Sequence, residues 1–376
     1  MNWRVPFYDL QLAPAEKQAA LAVLDSNWLT SGPRIAEFET AFAKALGGGV
    51  EAVALSSATA ALHLSLIGLN IGQGDEVIVP SLTFVACANA IRYVGATPVF
   101  ADITSESDWN ISVADAEKKI TPRTRAIMVV HFGGHACDMA GIMALCQKHK
   151  LKLIEDCSHA PLATWDGKAL GTLGDTGCFS FFSNKNLTTG EGGMVTCKDA
   201  DIAARFRILR SHGITASTYQ RFKGHSYGYD VADLGYNYRM DEMRAAIGIE
   251  QLKRQAALMA QRKERAVRYR HQLAKICPQV AVPFADVRGE SAYHIFPVHL
   301  PQHASRDQVM QKMAELGIQC SIHYRPIHSF TSYATFTADV PVTDSIAPSI
   351  LTLPFFPHMS DAQMDLVIES LAACLR

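Results

Sequence analysis

Through the first half of the chain, short continuous apolar runs alternate with longer stretches in which apolar residues recur at helical spacing. The runs at 52–55, 76–79, 97–100, 126–130, 152–155, 178–182 and 194–197 are rich in β-branched and aromatic residues and read as seven strands. Segments 58–69, 84–94, 140–149 and 200–211 read as helices. Such alternation predicts an α/β fold with a mainly parallel seven-stranded sheet wrapped by helices. From Asp241 the pattern becomes one long helical stretch over 242–273 with few breakers. It should lead from a large domain, 1–250, into a smaller C-terminal α+β domain, 251–376. There, strands are expected near 292–300 and 319–323 and helices near 306–316 and 361–371. No internal repeat or low-complexity segment interrupts this organisation.

Composition narrows the class. The 376 residues are 48% hydrophobic and 19% charged, enough apolar material for a large domain plus a smaller one. Lys and Arg number 35 against 36 Asp and Glu, so neither a nucleic acid nor a membrane surface is an expected partner. The basic residues between Arg262 and Arg270 are broken by Glu264 and apolar positions, the pattern of a solvated helix face. No N-terminal segment joins a positive start to an apolar core, and no apolar run approaches membrane-spanning length, so a cytoplasmic location is expected. Nine cysteines lie scattered through apolar segments and read as reduced core residues.

Lys185 is the ammonium best placed for covalent chemistry. It follows the aromatic run Phe179-Ser180-Phe181-Phe182 and precedes the tight Thr188-Thr189-Gly190-Glu191-Gly192-Gly193 segment. A partly desolvated amine there is nucleophilic and suited to Schiff bases, whereas the bland reading is a surface loop lysine. Glu155-Asp156 ends another apolar run, and the separation 185 − 156 = 29 residues allows a crossover that puts both side chains over one cleft. An aspartate facing a lysine amine suits pyridoxal phosphate, whose pyridine nitrogen a carboxylate keeps protonated. Ser57-Ala58-Thr59-Ala60 runs from a strand into a helix. The amides of Thr59 and Ala60 can approach an anion there, or the segment is a plain Ser/Thr cap. Phe84, just past another strand, is either a ring to stack on a pyridine or a core aromatic. His131, His135, Cys137, Cys146 and His149 offer metal-ligand types, but no paired CxxC elements accompany them. A structural cluster is the preferred reading, with no metal. No GxGxxG opens a helix after a strand, so a dinucleotide fold has little support.

The chain resembles the DegT/DnrJ/StrS family of fold-type I pyridoxal phosphate enzymes, the nucleotide-sugar aminotransferases, over nearly its whole length. The residues that carry the resemblance include Trp28-Leu29-Thr30-Ser31-Gly32-Pro33, Ser57-Ala58-Thr59-Ala60-Ala61-Leu62, Gly74-Asp75-Glu76-Val77-Ile78-Val79-Pro80, Thr83-Phe84 and Glu155-Asp156. They continue with Phe179-Ser180-Phe181, Lys185-Asn186, Gly190-Glu191-Gly192-Gly193, His212-Gly213 and Gly235-Tyr236-Asn237-Tyr238-Arg239-Met240.

The resemblance implies that Lys185 carries the internal aldimine and shuttles protons, that Asp156 pairs with the pyridine nitrogen and that Phe84 covers a ring face. Ser180 with the Thr59 and Ala60 amides would hold the phosphate, and Asn237 would reach the phosphate of a neighbouring subunit, making a homodimer with shared active sites. Arg239 would bind a carboxylate or nucleotide phosphate, its alternative being a structural ion pair. His323-Tyr324 would meet the nucleotide sugar or form a buried hydrogen-bonding unit. His159 stands where many relatives have glutamine near the cofactor's phenolic oxygen, and adds a group whose charge depends on pH. Asn184 receives no role. Some family members are dehydratases with histidine in place of the lysine; the lysine here favours transamination.

The expected reaction moves an amino group from an amino acid, glutamate by resemblance, to a keto group of a nucleotide-linked deoxysugar, with ping-pong kinetics. The sugar, the nucleotide and the carbon aminated stay open. Two alternatives are a transaminase of the same group acting on a non-nucleotide keto sugar or cyclitol, and a non-catalytic sensor.

Overall fold

The computed structural model describes residues 3–215, 228–286 and 288–376. Seven strands form the central sheet: β1 (Glu51–Leu55), β2 (Glu76–Pro80), β3 (Thr97–Ala101), β6 (Thr124–Val130), β7 (Lys152–Asp156), β10 (Thr176–Ser180) and β11 (Gly193–Cys197). Two hairpins leave the sheet: β4 (Ile103–Ser105) with β5 (Asp108–Ile111), and β8 (Thr164–Trp165) with β9 (Lys168–Ala169). The sheet order is β1-β11-β10-β7-β6-β2-β3. β11 runs antiparallel to both of its neighbours, while β10, β7, β6, β2 and β3 pair in parallel. The expected seven strands are all present, in the expected mainly parallel sheet.

Their unbroken apolar character follows from burial on both faces. Ala52, Ala54, Ile78, Ile127 and Val129 join one core cluster, whereas Val53, Leu55, Val77, Val79, Ala126, Met128 and Val130 join the other. Successive side chains thus alternate between two cores, as the period of two requires. The first cluster is closed by Phe38 and Phe42 of α2 (Pro33–Ala45): Phe42 packs edge-on against Phe179 and Phe181, and Phe38 lies tilted against Phe181. The second is closed by α3 (Ala58–Gly68) and α4 (Ala86–Tyr93).

Helix α8 (Glu242–Ile276) runs for 35 residues. Its start packs Ala245 and Ile249 on the first core, and its end packs Ala266, Tyr269 and Leu273 on a third cluster with β12 (Phe296–His299), β13 (Ile350–Leu353) and α11 (Asp361–Cys374). α9 (Arg306–Glu315) and the short α10 (Pro341–Ile346) complete this part. Segment 319–323, expected as a strand, forms only an isolated bridge, Ser321 to Thr352. The expected strand at 292–300 shortens to β12, because the amides of Ala292 and His294 turn instead to Gly134 and Gly133 carbonyls. β10 ends at Ser180 rather than at 182. The helix expected from Phe84 starts at Ala86. α1 (Pro14–Asp25), α2, α5 (Val113–Lys118), α6 (Met139–His149) and α7 (Ala200–Leu209) complete the described helices.

Candidate active site

One cavity of about 290 Å³ opens at the edge where the parallel strands terminate. Ser57, Ala58 and Thr59 follow β1, Phe84 follows β2, Val130 ends β6, Asp156 ends β7, and Ser180 ends β10, with Lys185 just beyond. Glu191 and Gly192 precede β11, which starts at this edge because it runs the other way. Side chains beyond the carboxyl ends of parallel strands have no sheet partner to fill them, so a cleft forms there. At Gly193 a Cβ would strike the Ser57 backbone, so the glycine lets β11 pass against the start of α3.

Asp156 and Lys185 stand on neighbouring strand ends and both line the cavity. Asp156 Oδ1 accepts the Ser158 N–H at 2.9 Å and Oδ2 accepts the Cys87 thiol at 3.0 Å. Burial pulls the Lys185 pKa down from the ordinary lysine value to about 8, with the Asp156 charge acting in the opposite sense. Its Nζ contacts His294 Nε2 at 3.4 Å.

Three histidines crowd this amine. Burial first, then the charge of Lys185, holds His159 and His294 well below the usual imidazole range and His323 at about 3. Burial thus works against a second proton on His159, the residue expected to carry a pH-dependent charge. Its Nδ1 accepts the Gly133 N–H at 3.2 Å, so Nε2 carries the proton and donates to the Tyr324 hydroxyl at 2.8 Å. Tyr324 and His323 both line the cavity, and His323 Nδ1 lies 3.1 Å from Thr352 Oγ1. Phe84 is 57% exposed, its ring 6.0 Å from that of Tyr324, so it is a cavity wall and not a core aromatic.

At the helix end the two readings divide. Ser57 Oγ caps α3 by accepting the Ala60 N–H at 3.2 Å, and Ala58 and Thr59, not Ala60, face the cavity. Asn237 and Arg239 lie outside the cavity lining. Their segment is pinned to the end of α7 through Tyr236 N–H to Leu209 C=O and Tyr238 N–H to Arg210 C=O, and Arg239 Nη1 donates to Ser211 Oγ at 3.3 Å.

His131, Glu155 and Cys157 gather with ligand-type atoms within 4.8 Å, a grouping that spacing did not foretell. Both Glu155 oxygens are already taken, by the N–H groups of Gly171, Leu173 and Gly174 and by His131 Nε2. His131 Nδ1 accepts the Cys137 N–H. His135 stacks on Phe284 with ring centroids 4.3 Å apart.

Sequence reasoning did not single out His294, nor Cys87 as a partner of Asp156. His294 lies 109 residues from Lys185, inside an apolar segment read only as a strand, and nothing local marks it. Cys87 sits one helical turn beyond Phe84, a spacing that could have placed it over the same cleft.

The set fits a phosphorylated pyridine aldehyde: a lowered-pKa amine for the aldehyde, a carboxylate on the adjacent strand, an exposed aromatic wall and a helix start for the phosphate. An α/β molecule carrying this set at its strand ends is a fold-type I pyridoxal phosphate enzyme. The chain belongs to the DegT/DnrJ/EryC1/StrS aminotransferase family, whose model matches residues 11–372, and it is a pyridoxal phosphate-dependent aminotransferase. It is 39% identical over 373 residues to the spore coat polysaccharide biosynthesis protein SpsC of Bacillus subtilis, covering 96% of this chain and 95% of that one. It is 40% identical over 360 residues to the GDP-perosamine synthase of Caulobacter vibrioides, covering 95% and 94%. Spr1654 of Streptococcus pneumoniae, solved in its PLP form, superposes with a TM-score of 0.91 at 30% identity, covering 99% of this chain and 98% of that chain. Among the described residues, no helix is long and apolar enough to cross a membrane.

Proposed function

We propose that this aminotransferase moves an amino group from an amino acid, glutamate by expectation, onto a keto group of a nucleotide-linked deoxysugar. The observation that carries the reading is the convergence of Lys185 and Asp156 on one cavity beside the α3 start. Relatives named for GDP-perosamine synthesis and spore coat polysaccharide biosynthesis direct it toward nucleotide-linked sugars.

When bound, pyridoxal phosphate supplies an aldehyde that takes up amines and a ring that accepts electron density. Lys185 is the covalent anchor and, once released, the amine that carries a proton to and from the substrate carbon. Asp156, oriented by Ser158 and Cys87, offers its carboxylate to the pyridine nitrogen. Phe84 covers one ring face, and Ser180 with the Thr59 amide receives the phosphate. His159 presents Tyr324 at the cavity wall, and His323 and Tyr324 meet the sugar substrate. Residues 1–250 serve the cofactor and 251–376 form the smaller domain, with α8 bridging them.

The active form in this reading is a homodimer. Asn237 and Arg239 stand off their own cavity, in a segment where Tyr229, Val231 and Leu234 are large exposed apolar residues, Leu234 at 80%. That surface calls for cover, and a second copy would bring Asn237 to its neighbour's phosphate and Arg239 to the substrate.

The test is amine transfer from 15N-glutamate to a panel of nucleotide-linked and free keto sugars and cyclitols, read by mass spectrometry. Label entering only non-nucleotide acceptors overturns the substrate class, and no label in any acceptor overturns the reaction. Mixing Asn237→Ala and Lys185→Ala chains tests the shared site. Recovery toward half of wild-type activity per dimer supports it. No recovery, with a wild-type/Lys185→Ala control active, assigns Asn237 to its own subunit.

A further inference from the structure

Behind Lys185 lies a hydrogen-bond chain whose direction is fixed from its far end. Asn186 Nδ2 donates to the Ala292 carbonyl at 2.6 Å, which leaves Asn186 Oδ1 facing His294 Nδ1 at 3.1 Å. An amide oxygen only accepts, so Nδ1 carries the imidazole proton. Nε2 then presents a lone pair to Lys185 Nζ, at the 3.4 Å of a long hydrogen bond. The chain is clamped from α8: Gln255 Nε2 donates to the Asn186 carbonyl at 2.7 Å, and Arg262 Nη1 donates to the carbonyls of Tyr293 and His294 at 3.2 Å. His294 is 4% exposed, with its ring 4.5 Å from that of His159. Asn186 ties the Ala292 carbonyl to the imidazole, and the Nε2 of His294 has the Lys185 amine as its hydrogen-bond partner.

We propose that His294, oriented by Asn186, is a positioning residue that receives a hydrogen bond from the Lys185 amine and holds it ready whenever it is not joined to the cofactor. The proposal rests on the reading of Lys185 as cofactor anchor and proton carrier. A released lysine has four rotatable bonds and would otherwise wander, whereas a fixed acceptor behind it leaves its lone pair directed into the cavity. The charged and titratable groups facing this pair are Asp156, His159, His323 and Arg262. With Nδ1 committed to Asn186 Oδ1 and burial working against a second proton, His294 Nε2 remains an acceptor for the Lys185 amine.

The test is the pH titration of Lys185 by competitive amine labelling and peptide mass spectrometry. It is run on the full-length protein, cofactor-free and in its pyridoxamine form. An acceptor favours the ammonium form, so His294→Leu should lower the Lys185 midpoint by about one pH unit. His294→Gln restores a carbonyl acceptor and should stay near wild type. Single-turnover amination by the pyridoxamine form should slow about tenfold in the leucine variant and recover in the glutamine variant. Asn186→Ala, which frees the imidazole to change tautomer, should move the midpoint the same way and by less, and it serves if His294→Leu fails to fold. A midpoint unmoved in both His294→Leu and Asn186→Ala overturns the proposal, as does an equal shift in the leucine and glutamine variants. Retained transamination in Lys185→Ala would instead sink the underlying reading, whatever the His294 variants do.

Discussion

Two carboxylates stand side by side at the end of β7 and live in opposite worlds. Glu155 points into the body of the protein and spends both oxygens on three backbone amides and an imidazole. Burial opposes its ionisation, yet the His131 hydrogen bond, with the Gly174 and Gly171 amides, brings its pKa below the ordinary carboxylate value. Asp156, one residue on and on the other side of the strand, receives one amide and one thiol and lines the cavity. Thiols are weak donors, so Asp156 keeps acceptor strength to spare. A carboxylate whose partners all come from its own fold serves stability; one left partly unanswered at a cavity wall is available to a ligand.

Variants can break this contrast. The largest effect is expected from Lys185→Ala on the cavity side: transamination is abolished while melting temperature holds, because a partly desolvated amine is removed and no core contact is lost. Borohydride reduction of the wild type should leave a pyridoxyl group on Lys185, mapped by peptide mass spectrometry; an adduct on another lysine refutes the assignment. Glu155→Ala should do the reverse. Stranding three amides and the His131 N–H should cost about 3–5 kcal/mol in denaturant unfolding, with turnover per folded, cofactor-loaded molecule close to wild type. Asp156→Asn comes next. It exchanges an ionic partner for a neutral one and should lower turnover roughly ten- to a hundredfold with unfolding unchanged. If Asp156→Asn unfolds the protein while Glu155→Ala silences a stable one, the two roles are exchanged.

The contrast between the two carboxylates was not legible in the chain, although their neighbourhood was. Strands such as 126–130 announce themselves because both faces are buried and every position is apolar. α1 announces nothing: it exposes Leu21 and Leu24 and buries Glu16, so apolar spacing there does not track burial. Segment 319–323 reads as a strand from composition, yet only Ser321 bridges, because the chain must turn there to bring His323 and Tyr324 to the cavity. Lys185, Asp156 and Phe84 were legible because each follows a recognisable strand within a few residues. His294 was not, since its link to Lys185 is made by packing across 109 residues and by a tautomer that only the third partner, Asn186, decides.

The smallest expected effect sharpens the comparison at the thiol that Asp156 has and Glu155 lacks. Burial first, then the Asp156 charge, push the Cys87 thiol well above its ordinary range, so it stays protonated, and a donor, throughout the working pH range. Replacing it by alanine removes one weak donor from Asp156 Oδ2 and should cost about two- to tenfold in turnover, the worth of a neutral hydrogen bond. Cys87→Ser supplies a hydroxyl donor on a side chain of nearly the same shape and should retain most of the activity. The serine–alanine difference should not vary between pH 6 and 9, because the buried thiol keeps its proton there; a difference that grows or vanishes over this interval would mean that Cys87 titrates and acts otherwise than as a fixed donor. Iodoacetamide provides the independent reading, since a buried protonated thiol should resist alkylation in the folded protein. Ready alkylation at neutral pH, or equal turnover in the serine and alanine variants, would leave Asp156 oriented by the Ser158 amide, and the thiol would be packing.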